Sequence, residues 1–221
     1  MSEIATAEAL SPAETFVQGP EALAEAIRRL EREPALALPL LSEPARLFLR
    51  DEAEALDYRP ARPVVAAGAA EVLQDFEVSL YFPRFPPESP FTAFAAAFER
   101  LTAEALALIE PPAYPGPVPM NDLIVQRYHP GSVGITPHRD HLKYEALVAI
   151  FPLSGQARFC ICADRQGSDT QEIPSGPGDL LLMRAPGLFG QRDRPFHYLD
   201  KVESRRISLG LRYDTRVEEE A

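Results

Sequence analysis

Tryptophan is absent from this 221-residue chain, cysteine occurs twice, histidine four times, and basic residues fall short of acidic ones by eleven. Each shortage excludes something. Cys160 and Cys162 stand two residues apart in one apolar run, too close for an ordinary disulfide and without the partners of a zinc site, so they read as small core or barrel-wall residues. The basic deficit is uneven: residues 121–216 carry 13 Lys and Arg against 11 Asp and Glu, residues 1–120 carry 9 against 19, and Glu218 to Glu220 add three negative charges. A chain of that sign is poorly suited to indiscriminate binding along a phosphate backbone, and nucleic acid is a disfavoured partner. No apolar run approaches the ~18 residues of a membrane span. The first residues, Met-Ser-Glu-Ile-Ala-Thr-Ala-Glu, have neither the basic nor the apolar region of a signal peptide. The expectation is no membrane partner and a cytoplasmic location.

What is present suits one domain: 46% hydrophobic and 25% charged residues are ordinary globular proportions. Residues 1–19 lack periodicity and read as a loose arm. Between Glu21 and Glu33, Leu23, Ala26, Ile27 and Leu30 fall at spacings of three and four, an amphipathic helix that Pro34 stops. A second helix is expected from Pro44 to Leu56, capped near Ser42 or Glu43, with Leu47, Phe48 and Ala55 inward. Phe76 to Phe82 alternates like a half-buried strand, and Phe91 to Ile109 is the longest helical pattern, with Phe94, Phe98, Leu101, Ala105 and Leu108 on one stripe. From Asn121 the texture changes to short apolar or alternating runs. Strands are expected near Leu123–Tyr128, Ile135–Asp140, Ala146–Leu153, Ala157–Ala163, Gln171–Ile173, Asp179–Arg184, Pro195–Tyr198 and Arg206–Tyr213. Short strands at such spacing suggest a closed or double-sheet β architecture.

The residues that carry chemistry lie in this second half. His138 and Asp140 are two apart, so on an extended strand an imidazole and a carboxylate leave the same face. His197 is the one histidine C-terminal to that cluster. Two histidines and a carboxylate on one face of an octahedral ion, with the other positions open, suit non-haem Fe(II). A lone His-x-Asp is a weak signal and also fits a surface pair. In Arg206-Ile-Ser-Leu-Gly-Leu-Arg212 the residues at 206, 208, 210 and 212 share a face while Ile207, Leu209 and Leu211 take the other. Two guanidiniums turned into a barrel need anions, because a buried unpaired charge is very costly. The bland readings are a core His197, arginines that answer the acidic N-terminal half, and a Tyr128 that only packs. His129 and His141 should point away from the site by strand parity, and Lys143, Tyr144 and Glu145 could line its entrance.

Taken together, the Arg127-Tyr128 pair before a Pro-Gly turn, His138-x-Asp140, the Gly178-Asp179 strand, the distal His197 and Arg206-x5-Arg212 resemble the 2-oxoglutarate and Fe(II)-dependent dioxygenases, most closely their AlkB-like branch. The resemblance covers about residues 121–216 and implies a double-stranded β-helix, jelly-roll or cupin-like core in a mainly β chain with N-terminal helices. Residues 1–120 would be a helical and lid elaboration of the same domain, and 217–221 an acidic tail. It implies that His138, Asp140 and His197 ligate iron and that Arg206 pairs with the distal carboxylate of 2-oxoglutarate. Tyr128 and Ser208 would donate hydroxyl hydrogen bonds to it, and Arg212 would complete the carboxylate pocket. The cofactor set is then Fe(II), 2-oxoglutarate and O2, and the reaction oxidative decarboxylation to succinate and CO2 coupled to hydroxylation or N-demethylation of a substrate.

Three functions follow. The first is an oxygenase acting on a small molecule or protein side chain, favoured by the acidic surface and by Leu142, where AlkB-type repair enzymes often carry an acidic residue. The second is an AlkB-type nucleic-acid base demethylase, against which stands the absence of a convincing pair of aromatics to clamp a base; a basic groove beside the metal would favour it. The third is a catalytically inactive binding domain on the same fold.

Overall fold

The computed structural model describes residues 12–62, 72–79 and 85–216. The first half of the chain forms α1 (Pro12–Thr15), α2 (Pro20–Arg29), β1 (Ala35–Pro39), α3 (Glu43–Glu54), β2 (Arg59–Pro60), β3 (Gln74–Asp75), β4 (Glu77–Ser79) and α4 (Pro90–Ala107). Proline in the first turn and serine before it start the longer helices. Ser42 Oγ accepts from the Ala45 N–H at 3.3 Å and Ser89 Oγ from the Phe91 N–H at 3.3 Å, each satisfying a donor that a helix start leaves unpaired.

The second half forms β5 (Asp122–Tyr128), β6 (Gly134–His138), β7 (Tyr144–Ser154), β8 (Arg158–Cys162), β9 (Gln171–Glu172), β10 (Asp179–Arg184), β11 (Phe196–Asp200) and β12 (Arg206–Asp214), the eight strands expected from the sequence. They pair antiparallel across two sheets, ordered β1-β10-β7-β12-β5-β4-β2 and β3-β6-β11-β8-β9. This is a jelly roll, a double-stranded β-helix core with helices packed on the larger sheet. That sheet is covered twice. Along β7, β10 and β12 most residues are buried, since one set of alternate side chains faces the barrel interior and the other the helices. On the helix side Phe151 meets Phe94 and Phe98 edge-on, each at 5.0 Å between ring centroids. Leu23 and Ile27 of α2, Leu49 of α3, Phe94 and Phe98 of α4, and Leu147, Phe151 and Leu209 of the sheet belong to one apolar cluster. Helices and barrel therefore share a core.

Several expectations shift. Phe16, read as part of a loose arm, is buried with its ring 5.9 Å from Phe94 and 6.3 Å from Phe98; residues 1–11 of that arm and the tail from 217 lie outside the described residues. Ala35–Pro39, for which the sequence suggested no element, pairs along β10 from Ala35 opposite Met183 to Pro39 opposite Asp179. The fully buried face of α3 is Ala45, Leu49 and Ala53; of the residues expected inward, Phe48 packs partly buried against the same core, whereas Leu47 is half-buried and Ala55 exposed. Small alanines at i and i+8 let that helix lie close on β7, which larger side chains on that face would prevent. Leu108 follows the last helical residue of α4 and is 45% exposed, while Ile109 turns inward in its place. Of the strand expected over Phe76–Phe82, Glu77–Ser79 forms β4, paired with β5 in the larger sheet; the preceding β3, which the sequence did not suggest, pairs with β6 in the smaller sheet, so the chain crosses between sheets at Phe76. Residues 80–84 lie outside the described residues. Among those described, no helix is long and apolar enough to cross a membrane.

For the site, the decisive alignment is β6 against β11, which sets His197 opposite His138. The register shifts immediately afterwards, before Leu199. Gly134 has φ +83°, and a Cβ there would run into the carbonyl oxygen of Leu199. Only glycine lets the strands close at this point.

Replacing Phe151 with alanine should lower the unfolding free energy by about 3–5 kcal/mol. Because helices and barrel share one core, urea unfolding followed by circular dichroism at 222 nm, which reports the helices, and by tyrosine fluorescence should remain one coincident transition. Two separated transitions would mean that the halves are independent domains.

Candidate metal centre

His138 is the last residue of β6, and Asp140 lies just beyond it in the loop to β7 rather than on the strand itself. The carboxylate nevertheless returns to the same point. One ligand atom from each of His138, Asp140 and His197 falls within 4.8 Å of the others, the only such group of three among the described residues. Asp140 Oδ1 lies 3.9 Å from His138 Nε2 and 3.8 Å from His197 Nε2, and the imidazole centroids are 4.2 Å apart. Each ring is oriented from behind by a main-chain carbonyl. His138 Nδ1 is 3.0 Å from Thr136 O and His197 Nδ1 is 3.2 Å from Pro195 O. A carbonyl oxygen can only accept, so Nδ1 carries the proton in both rings and the Nε2 lone pairs face the carboxylate, the tautomer a metal ligand needs. Phe159 stacks on His197 at 5.7 Å.

Electrostatics supports the same protonation states. Burial, with His197 beside it, holds His138 well below an ordinary imidazole, down to about 3, against the opposing pull of Asp140. Burial likewise lowers His197. For Asp140 burial pushes upward, but Arg212 and the two histidines outweigh it and the carboxyl lies below its usual range. At neutral pH the trio is two neutral imidazoles and one carboxylate, the deprotonated set that binds metal without first losing protons.

Behind the carboxylate stands Arg212. Its Nε is 3.5 Å from Asp140 Oδ2 and its Nη1 3.1 Å from Asp122 Oδ2, with the guanidinium 4.9 Å over the Tyr144 ring. Asp140 thus divides its oxygens, Oδ1 toward the histidines and Oδ2 toward the arginine. Arg212 faces protein carboxylates on two sides. Arg206, six residues back on the same strand face, has none. It is 4% exposed, donates from Nη1 to Ser208 Oγ at 2.9 Å, and lies 5.5 Å from the centroid of the buried Tyr128 ring. No carboxylate of the described residues comes within ion-pairing distance of it, and burial lowers its affinity for its proton. Burial also pushes the Tyr128 hydroxyl up to about 12, so it stays a neutral donor. Gly210 separates the arginines; a Cβ there would press on Ile124 at 2.9 Å and come within 3.7 Å of the Arg212 guanidinium.

The structure brings together His138, Asp140 and His197, sets Arg212 against them, and places Tyr128, Arg206 and Ser208 along one wall. It turns His129 away onto Glu77 at 2.9 Å and leaves His141 exposed. Of the residues suggested as an entrance, Lys143 is held by Asp214 at 2.5 Å, Glu145 receives the Tyr114 hydroxyl at 2.5 Å, and Tyr144 lies under Arg212. Cys160 and Cys162 are buried and free. Sequence reasoning missed Asp122, the second anchor of Arg212, and Arg194, whose Nη1 donates to Asp140 O at 2.7 Å. The signal for Asp122 exists only in register, since it sits directly opposite Arg212 across β5 and β12.

No protein-family model and no curated protein sequence matches the chain. Solved structures do. A 2OG-Fe(II) oxygenase-family oxidoreductase from Burkholderia pseudomallei matches with TM-score 0.59 at 13% identity, over 90% of this chain and 92% of that one. The chain has the 2OG-Fe(II) oxygenase fold. The same fold is met in a Trichoplax adhaerens prolyl hydroxylase in complex with a hypoxia inducible factor peptide fragment, with TM-score 0.63, 11% identity, and 89% and 90% of the two chains covered. It is met again in OsALKBH1, with TM-score 0.56, 13% identity, and 82% and 98% covered.

Because His138 binds its proton less readily folded than unfolded, the unfolded chain gains protons first as the solution is acidified. This contribution to stability is complete above the ordinary imidazole value of 6.5 and is lost as pH falls toward the folded value of about 3. Metal-free protein should therefore lose roughly 2 kcal/mol between pH 6.5 and 5 through this residue, measured as the difference in urea stability between wild type and His138→Gln. An equal pH slope in both proteins would refute it.

Proposed function

We propose that the protein is an Fe(II)- and 2-oxoglutarate-dependent dioxygenase, an oxidoreductase that hydroxylates or oxidatively demethylates a small molecule or protein side chain. The observation that carries the reading is Arg206, a buried guanidinium with a hydroxyl beside it and, among the described residues, no carboxylate to answer its charge. Removing a charge from water without an anion is costly, and a dicarboxylate entering from the metal side would supply one. The donor set also fits iron. Two neutral imidazoles and one carboxylate are the ligands such ions take, and Asp140 Oδ2 is buried without a hydrogen bond, held only by the charge of Arg212.

His138, Asp140 and His197 would hold the metal. Arg206, with the hydroxyls of Ser208 and Tyr128, would hold the distal carboxylate of 2-oxoglutarate. When bound, iron and 2-oxoglutarate would supply O2 activation, with succinate and CO2 as co-products. The protein's own part is orientation. Thr136 O and Pro195 O aim the imidazoles, and Arg212 draws Oδ2 back so that Oδ1 alone points forward. Phe76, Tyr128 and Leu199, packed with Ile124 and Ile135, give the Arg206 side an apolar wall that excludes water and strengthens each charged contact. No side chain is required as general acid or base. The peptide-bound prolyl hydroxylase of the same fold supports a side-chain substrate. Two unbridged cysteines and an Fe(II) site suit a reducing, cytoplasmic setting.

Anaerobic titration with Fe(II) and 2-oxoglutarate, followed by succinate release when O2 is admitted, tests the reading without knowledge of the substrate. His138→Ala should abolish release. Arg206→Gln should raise the 2-oxoglutarate concentration needed by roughly a hundredfold, the loss of ~2–3 kcal/mol from a buried charged hydrogen bond, with metal affinity retained. Absence of succinate from metal-loaded wild type, or unchanged 2-oxoglutarate dependence in Arg206→Gln, would overturn it.

A further inference from the structure

Asp140 is the metal ligand with the least local support. The β6–β11 ladder ends where His138 faces His197, and Asp140 follows in a loop that belongs to no strand. Arg212 draws on its carboxylate, but a side chain can be aimed only as well as its own backbone is held. The bonds inside the loop do not hold it. The N–H groups of Tyr144 and Lys143 donate to His141 O and His141 Nδ1, each at 3.1 Å, and so close the turn one residue too late. Among the described residues, the hydrogen bond that reaches the Asp140 main chain comes from Arg194, whose Nη1 donates to the carbonyl oxygen at 2.7 Å. That bond is charge-assisted and short for its kind.

Arg194 belongs to the irregular stretch that delivers His197 into β11, and the residues on either side of it also make holding contacts. Asp193 Oδ2 accepts from Arg184 Nη2 at 2.5 Å, and Pro195 O accepts from His197 Nδ1 at 3.2 Å. Three consecutive residues therefore grip the body of the protein, the Asp140 backbone and the His197 ring. The grip on the body is firm. Arg184 is buried and its Nη1 donates to Leu30 O at 2.8 Å, while Gln191 Nε2 donates to Glu31 O at 2.8 Å; both carbonyls lie at the end of α2, where the helix leaves acceptors unpaired. Pro195 adds stiffness, because its ring fixes its own φ and disfavours a helical backbone at Arg194. The stretch is moored to the helical layer before it meets the ligands, so it can serve as a fixed point for both of them.

We propose that Arg194 is a positioning residue of the metal centre: it ties the main chain of Asp140 to the segment that carries His197, and so fixes the spacing of two ligands that no strand pairing joins. The inference rests on the metal-binding part of the oxygenase reading and is independent of its co-substrate.

The test is titration of the full chain with Co(II), whose visible absorption reports the number and arrangement of its ligands, with affinity measured by chelator competition. Three variants are compared with wild type. Arg194→Met keeps the length of the side chain without its donors, Arg194→Lys keeps a charged donor, and Arg192→Met removes a charge from an exposed neighbour. Arg194→Met should bind Co(II) about tenfold more weakly, the loss expected when a group that orients a ligand is removed. Its visible band should change while its urea midpoint stays near that of wild type. Arg194→Lys should recover most of the affinity and the wild-type band, and Arg192→Met should match wild type throughout. A group that merely kept the loop folded would lower the urea midpoint and leave the Co(II) spectrum of the folded protein as it was. That result, or an Arg194→Lys as weak as Arg194→Met, would overturn the positioning role. Wild type that binds Co(II) but releases no succinate with Fe(II), 2-oxoglutarate and O2 would remove the oxygenase reading and leave the comparison between variants to decide the role of Arg194.

Discussion

One carboxylate serves two masters at the centre of this molecule. Asp140 turns Oδ1 toward two neutral imidazoles and Oδ2 toward the Arg212 guanidinium, and each relation is needed for the other. Without Arg212 a carboxyl group so buried would gain a proton and lose its value as a ligand. Without Asp140 the arginine would keep only Asp122 against its charge. The arrangement allows a full negative charge to persist in an interior built mainly of leucine, phenylalanine and alanine.

Around that carboxylate the two inward arginines of β12 play different parts, although sequence parity gives them the same face. Arg212 is satisfied by the protein, between Asp122, Asp140 and the Tyr144 ring. Arg206 is left with a serine and a tyrosine ring. A fold that only needed stability would have no reason to keep the second: an apolar residue of similar volume would remove the burial cost at once. The asymmetry between the two is the strongest functional statement in the structure, and it holds independently of likeness to any other protein.

The helical layer contributes by stiffness. α3 and α4 close the outer face of β7, most of whose residues are then buried, and strands β12 and β10 pair on either side of it. The smaller sheet carries His138 and His197, with β6 and β11 joined at one short register around them, and Asp140 follows from the loop after β6. The larger sheet thus supports Arg206 and Arg212, and the opposite half presents the metal-binding atoms.

Much of this was legible in the chain itself. Alternation over 206–212 placed both arginines inward, and the run of short strands separated by glycine, proline and aspartate located all eight strands of the barrel, because period-two patterning and turn residues are local properties. His138, Asp140 and His197 stood out for their chemistry. The edge strand at Ala35–Pro39 did not, since an alanine-leucine repeat becomes a strand only when β10 lies beside it, and α3 turned Ala45, Leu49 and Ala53 inward rather than Leu47 and Ala55 because of how closely β7 approaches. Nor could sequence reveal that Asp122 would claim Arg212 and that no carboxylate of the described residues would reach Arg206. Which charges find partners depends on distances between segments far apart along the chain, and those distances exist only after the two sheets have closed.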